Sequence, residues 1–362
     1  MIEFRIIDAN FNRAREALRV MEEYARFVLD DGNLTAAIKE TRHAVTSELN
    51  TMAAQAKGCG SVIASRDIVC DVGREITTPS ETSRASAEDV VAAAGKRLSE
   101  ALRAIEEYGK IVDPSFGRAI EAIRYQGYEL ERRLALTILA RNRFGDVRLY
   151  VLLTEEHCKG DWFETAEAAV RSGADCLQLR EKKLTDGEFF ERAKRLATLC
   201  REHGAMLIVN DRPDVAAASG AHGVHLGPED LPLSAVRRII PSTCVIGVST
   251  HTIDQVRAAA EQAPDYIAVG PMFDSPTKPQ RHIAGPATLA AARRDTSLPL
   301  VAIGGITEKN AATVLAAAPC CLCVCHSVIA QSDVASAARR MRELVDQAME
   351  KAQHIPIQEK RT

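Results

Sequence analysis

The sequence predicts an α/β chain, an eight-stranded (β/α)8 barrel preceded by an all-α domain with an internal helix-pair repeat. Three observations predict it. Residues 13–28 recur at 97–112 with nine of sixteen positions identical. From residue 148 onward, short β-rich runs alternate with helical stretches eight times. Aromatics are only 4% of the chain, so both cores must be built from Ala, Val, Leu and Ile.

The two copies read RAREALRVMEEYARFV and RLSEALRAIEEYGKIV. Each spaces apolar or small residues as one face of an amphipathic helix: Ala14, Leu18, Met21, Ala25 and Val28, then Leu98, Leu102, Ile105, Gly109 and Val112. A second helical stretch follows each copy, with Ile38 four residues before Arg42 and Ile120 four before Arg124. Residues 1–140 are therefore expected to form one helical domain. Arg19 with Glu23, and Arg103 with Glu107, have the spacing of surface ion pairs. The loop 58–86 between the copies holds Arg66, Asp67, Asp71 and Arg74. These could bind a phosphate–metal unit or simply face solvent.

Residues 141–147 are expected to be a linker, and residues 352–362 a tail beyond the barrel domain at 148–351. The strands are expected at 148–153, 174–180, 206–211, 223–227, 244–250, 266–273, 298–305 and 321–327. Helices fill the gaps, for example at 185–202, 252–262, 285–294 and 332–351. Continuous apolar runs suit strands buried on both faces of a parallel sheet. A doubly wound open sheet is the other arrangement of such units, but no Gly-rich dinucleotide fingerprint follows the first strand.

Charge and composition exclude several classes. Lys plus Arg number 46 and Asp plus Glu 49, a net charge of −3, so nothing drives the chain toward nucleic acid or a membrane surface. No apolar run approaches the ~20 residues of a spanning helix. With ten cysteines and no export signal, reduced thiols in a cytoplasm are expected. Cys320, Cys321, Cys323 and Cys325 are read as small buried hydrophobes rather than zinc ligands, on the argument that alternate strand residues face opposite ways. His222, His225 and His251 are given packing or hydrogen-bonding roles. A homo-oligomer is left open.

In a (β/α)8 barrel the chemistry sits at the C-terminal strand ends. The second strand ends in Gln178, Arg180 and Lys182, the third in Asn210 and Asp211, and the fourth runs into Asp230. The fifth ends with Ser249, the sixth runs into Ser275, Thr277 and Lys278, and the seventh ends in Gly304 and Gly305. Three cations and two carboxylates thus gather on one rim. Asp211 and Asp230 could hold a hard divalent cation such as Mg2+, with phosphate oxygens completing its shell. Gly-Gly ahead of a helix can offer backbone N–H groups to phosphate.

The ordered motifs QLREK, NDR, GVHLGPED, GVSTHT, GPMFDSPTK and VAIGGIT resemble the thiamine-phosphate synthase (thiamin-phosphate pyrophosphorylase) family over residues 148 to about 345. The resemblance implies a transferase of small molecules on a TIM barrel. It would join hydroxymethylpyrimidine diphosphate to hydroxyethylthiazole phosphate with Mg2+ by a dissociative substitution. It implies that Gln178, Arg180, Lys182 and Asn210 bind the pyrimidine diphosphate, that Asp211 and Asp230 ligate Mg2+, and that Ser249 contacts the pyrimidine. Ser275, Thr277 and Gly305 would hold the thiazole phosphate, and Lys278 would neutralise the leaving diphosphate. At the eighth strand, His326 or Ser327 would face that phosphate. The stretch DANFNRAREALRVMEEYARFVL resembles a hydroxymethylpyrimidine-phosphate-kinase-like domain fused to some members, implying ATP as a further small-molecule partner. A thiazole tautomerase or a non-catalytic thiazole-phosphate sensor is the alternative on the same barrel.

Overall fold

The computed structural model describes residues 2–29, 31–55, 83–274 and 283–353. The chain divides into two compact units, residues 1–138 and 139–362. The first holds the long helices α1 (Ile2–Phe27), α2 (Gly32–Gln55), α3 (Ala87–Val112) and α4 (Pro114–Asn142), the last of which runs past the division. The repeat copies lie on α1 and α3, which pack against one another. Ile7, Ala14, Leu18 and Met21 of α1 share one core with Leu98, Leu102 and Ile105 of α3. Each fully buried Leu or Ile there contributes roughly 1.5–3 kcal/mol.

The polar part of the repeat is also built symmetrically. Arg19 meets Glu23 and Arg103 meets Glu107, both at 2.9 Å, as the spacing predicts. The preceding acid of each Glu-Glu-Tyr turns inward instead. Glu22 accepts from Arg42 at 3.0 Å, and Glu106 accepts from Arg124 at 2.6 Å. The Ile-x-x-x-Arg step of each second helix thus places a guanidinium on the buried carboxylate of the first.

The second unit is a closed parallel barrel whose strands pair in sequence order. They are β1 (Leu149–Leu153), β2 (Cys176–Leu179), β3 (Met206–Asn210), β4 (Gly223–Leu226), β5 (Val245–Thr250), β6 (Tyr266–Val269), β7 (Leu300–Ile303) and β8 (Cys321–Val324). Successive side chains alternate between the helical shell and the interior. Leu149, Val151 and Leu153 join the outer core, whereas Tyr150 joins Met206, Ile208, Val245, Tyr266 and Val301 inside. Gly247 on β5 makes room for one of these rings: a Cβ there would lie 1.8 Å from the Tyr266 ring.

The structure adds detail to one expectation and corrects the argument behind another. The stretch expected as a linker, residues 141–147, is ordered. α4 continues to Asn142, a 3-10 turn spans Arg143–Asp146, and Phe144 is 1% exposed inside the barrel end. Cys320, Cys321 and Cys323 are buried and Cys325 is half-buried, but the thiols do not all diverge. Cys321 and Cys323 stand two apart on one strand and share the inner face with Cys176, while Cys320 belongs to the outer core. A period of two puts i and i+2 on the same side.

Candidate active site

β2 enters the site with Gln178, which is 3% exposed and points into the barrel. Its Nε2 donates to Tyr150 Oη at 2.7 Å. Arg180 and Lys182 follow where the chain leaves the sheet. The Arg180 carbonyl accepts from Thr154 Oγ1 at 2.8 Å, which ties the β1 and β2 ends together. Lys182 Nζ lies 2.7 Å from Asp211 Oδ2 at the end of β3, next to Asn210.

Asp211 has φ +62°, in the left-handed region that few non-glycine residues occupy. Its amide still donates to His225 O at 2.9 Å, so the backbone turns sharply while keeping its pairing to β4. Non-glycine strain of this kind collects at functional sites. Asp230 comes from the loop after β4 and accepts from the Gly227 amide at 2.6 Å. Burial, reinforced by the neighbouring Asp211, pushes the Asp230 carboxyl above its ordinary value. Burial acts upward on Asp211 too, but the hydrogen bonds with Lys182 and Asp230 and the charges of Lys182 and Arg180 together outweigh it and hold that carboxyl low. Two facing carboxyls driven apart in this way behave as a like-charge pair.

This donor set fits a hard divalent cation, which takes one or two carboxylates and fills its shell with water and phosphate oxygens. Among the described residues no cluster of three or more His, Cys, Asp or Glu could hold a metal. A cation at this mouth would therefore depend on Asp211, Asp230 and non-protein oxygens.

Ser249 on β5 is half-buried and bonds His225 Nε2 at 2.8 Å. His225 Nδ1 lies 2.9 Å from Tyr266 Oη, which lies 3.1 Å from Tyr150 Oη. Burial pulls the His225 imidazole down to about 4, so it is neutral at physiological pH. Tyr150 and Tyr266 are the residues missed by sequence reasoning. Their signal is a large aromatic with a polar tip at an inward strand position, where the hydroxyl must find a partner.

Gly304 and Gly305 close β7 with φ +97° and +68°. A Cβ on Gly305 would meet Phe273 O at 2.6 Å and Asp274 O at 2.7 Å, so only glycine lets the β7 and β6 loops meet. The helix that follows them starts at Ala311, after a turn bonded through Asn310. β8 stops at Val324, and His326 and Ser327 open a short helix, His326–Ile329. The Ser327 hydroxyl is buried with no hydrogen-bond partner among the described residues. The His326 ring packs on His157 with centroids 4.2 Å apart. Ser275, Thr277 and Lys278 lie outside the described residues, as do Arg66, Asp67, Asp71 and Arg74.

The strand ends thus bring together Gln178, Lys182, Asp211, Asp230 and Ser249 from β2 to β5. Residues 149–328 match the family model for thiamine monophosphate synthase, and residues 5–133 match the ThiD2 family. A thiamine-phosphate synthase of Rhodopirellula baltica is 39% identical over 352 residues, covering 94% of this chain and 92% of that protein. The chain belongs to the thiamine-phosphate synthase family. It is accordingly an enzyme of the transferase class. A thiamine-phosphate synthase of Synechococcus sp. (strain CC9605) is 36% identical, covering 95% of both chains. Among solved structures, a thiamine phosphate pyrophosphorylase of Pyrococcus furiosus is 32% identical, with a TM-score of 0.54. It spans 57% of this chain and 100% of its own. No helix among the described residues is long and apolar enough to cross a membrane.

Proposed function

We propose that the barrel couples 4-amino-2-methyl-5-hydroxymethylpyrimidine diphosphate with hydroxyethylthiazole phosphate, giving thiamine phosphate and diphosphate. The observation that carries this reading is the facing Asp211–Asp230 pair with Lys182 bonded to Asp211. It stands at the mouth of a barrel whose relatives are named for thiamine-phosphate synthesis. Paired carboxylates beside cations suit a diphosphate that arrives with its divalent ion.

In this reading Gln178 and Ser249 hold the pyrimidine ring, while Arg180, Lys182 and Asn210 take its diphosphate. Asp211 and Asp230 would hold Mg2+, which when bound supplies positive charge against the diphosphate oxygens. Ser275, Thr277 and Gly305 receive the thiazole phosphate, and the unpartnered Ser327 hydroxyl favours Ser327 over His326 as their fourth partner. The bond between the methylene carbon and the diphosphate oxygen breaks, its electron pair leaving with oxygen. The aminopyrimidine feeds electron density to that carbon, and the thiazole nitrogen then forms the new C–N bond and becomes the thiazolium. No proton leaves carbon. The side chains therefore work by neutralising charge and aligning the partners.

For the N-terminal unit we propose ATP-dependent phosphorylation of the pyrimidine monophosphate, supplying the diphosphate to the barrel. Its support is the duplicated helix pair and the family match over residues 5–133.

The test incubates the full chain with Mg2+ and both phosphorylated precursors, and separately with pyrimidine monophosphate and ATP, then identifies products by mass. Folded chain that yields no thiamine phosphate would sink the barrel assignment. Unchanged monophosphate in the second tube would remove the kinase assignment alone.

A further inference from the structure

Five side chains from five strands form one hydrogen-bonded line through the barrel interior: Gln178, Tyr150, Tyr266, His225 and Ser249. Every internal link is 3.1 Å or shorter. Tyr150, Tyr266 and His225 are buried, so none can turn to water instead. Both ends of the line are residues that the proposed function places on the pyrimidine.

The direction of the line follows by elimination. Each tyrosine hydroxyl has one proton, and a neutral imidazole has one N–H. Gln178 Nε2 donates to Tyr150, so Tyr150 must spend its own proton on Tyr266 Oη. Tyr266 in turn donates to His225 Nδ1. That fixes the imidazole proton on Nε2, which donates to Ser249 Oγ. The Ser249 proton is then left to point outward. At the other end, Gln178 Oε1 makes no hydrogen bond among the described residues and is the open acceptor of the line. The fully reversed line is the only other arrangement that puts a proton in all four links and leaves no buried proton stranded. It would require Gln178 to turn its amide and Ser249 to present a lone pair, both together. A buried donor or acceptor left unpaired is costly, so the two ends cannot change independently.

We propose that Tyr150, Tyr266 and His225 are positioning residues that lock Gln178 as an acceptor and Ser249 as a donor, and so select a 4-aminopyrimidine over a 4-oxopyrimidine. The inference rests on the assignment of Gln178 and Ser249 to the pyrimidine. An exocyclic amino group donates and its neighbouring ring nitrogen accepts, matching the Gln178 oxygen and the Ser249 hydroxyl. A 4-oxo ring carries the opposite pair, an accepting oxygen and a ring N–H, and meets each end wrongly. Without the central hydroxyl the line falls into two halves. Each half can then reverse by itself, by an amide turn at Gln178 or a tautomer change at His225.

Tyr266→Phe and Tyr150→Phe test this in the full chain, since each keeps its ring and removes only the hydroxyl. The readouts are KM for the aminopyrimidine diphosphate and for the thiazole phosphate, kcat, and the inhibition constant of the 4-oxopyrimidine diphosphate as competitor. In the parent chain the 4-oxo inhibition constant should exceed the amino KM by roughly a hundredfold or more, since a site built around hydrogen bonds rejects the mismatched analogue strongly. Each variant should shrink that ratio at least about tenfold, with thiazole-phosphate KM within about twofold of the parent. A general loosening of the fold would instead raise both KM values and leave the ratio alone. Ratios unchanged in both variants, with folding verified by thermal melting, overturn the inference. A parent chain that makes no thiamine phosphate removes the pyrimidine assignment itself and this inference with it. A parent that is active but does not discriminate defeats the inference while leaving the proposed function standing.

Discussion

The Phe144 ring lies parallel to the Tyr266 ring, with centroids 3.8 Å and planes 4° apart. Phe144 comes from the turn entering the barrel, and Tyr266 opens β6. Tyr150 meets both rings edge-on at 6.2 Å. The three rings fill one end of the barrel interior and hold the two hydroxyls toward His225 and Gln178. Phe144→Ala should destabilise the barrel by about 3–5 kcal/mol through the cavity it leaves. Denaturant unfolding of the full chain, followed by a probe in the barrel, measures it. A loss under 1 kcal/mol would mean the turn is an ordinary connection after all.

The pair of carboxylates at the β3 and β4 ends gives a second expectation. Asp211→Asn should raise the Mg2+ concentration needed for half-maximal turnover and lower kcat together. Steady-state rates across a Mg2+ titration decide it. A parent-like Mg2+ response would move the metal assignment elsewhere on the rim.

Lys278→Ala should lower kcat by on the order of 10²-fold or more, the size seen when one preorganised charge partner is lost. Affinity for the thiazole phosphate should change far less. A variant with near-normal kcat and only weakened thiazole-phosphate binding would reassign the lysine.

In the helical unit, Glu106 is fully buried against Arg124, which also bonds Tyr128 Oη at 3.0 Å. Burial alone would raise the Glu106 carboxyl, but Lys110 and Arg124 outweigh it and hold it below the ordinary 4.5. A carboxyl depressed in the folded state stabilises above its unfolded value and loses that contribution as pH falls through the folded one. The helical unit should therefore weaken progressively below about pH 4.5. Glu106→Ala should cost about 3–5 kcal/mol at neutral pH, because it strands a buried guanidinium. It should also flatten the acid limb. Melting curves between pH 3 and 7 for parent and variant would show whether that limb persists.

The buried thiols of the barrel unit make a further prediction. Burial pushes Cys200 and Cys320 up to about 12, and raises Cys176, Cys321 and Cys323 strongly as well. A thiolate-selective reagent at pH 8 should leave all five unmodified in the folded chain and label them after denaturation. Peptide mass mapping reads this directly, and rapid labelling of Cys321 or Cys323 without unfolding contradicts it.

Much of this molecule is legible in the chain alone. The repeat, the eight strand–helix alternations and the identities of the rim residues are local patterns. Strand ends are less so. β6 was expected to reach residue 273 but stops at Val269, before Gly270 and Pro271. β7 was expected to reach 305 but stops at Ile303, because Gly304 and Gly305 turn into the left-handed region.

What the sequence determines by itself is periodicity: which face of α1 and α3 is apolar, how many strands there are, and which side chains stand at their ends. Those follow from helical and strand repeats within a few residues. Only the tertiary structure decides that Glu22 meets Arg42 while Glu23 stays with Arg19, or that Phe144 leaves the expected linker to stack on Tyr266. It alone joins Tyr150 to Tyr266 across 116 residues and sets His225 between Tyr266 and Ser249. Those contacts exist because closing the barrel turns inward positions of five strands onto one axis, and no local period encodes which inward residues will then face one another.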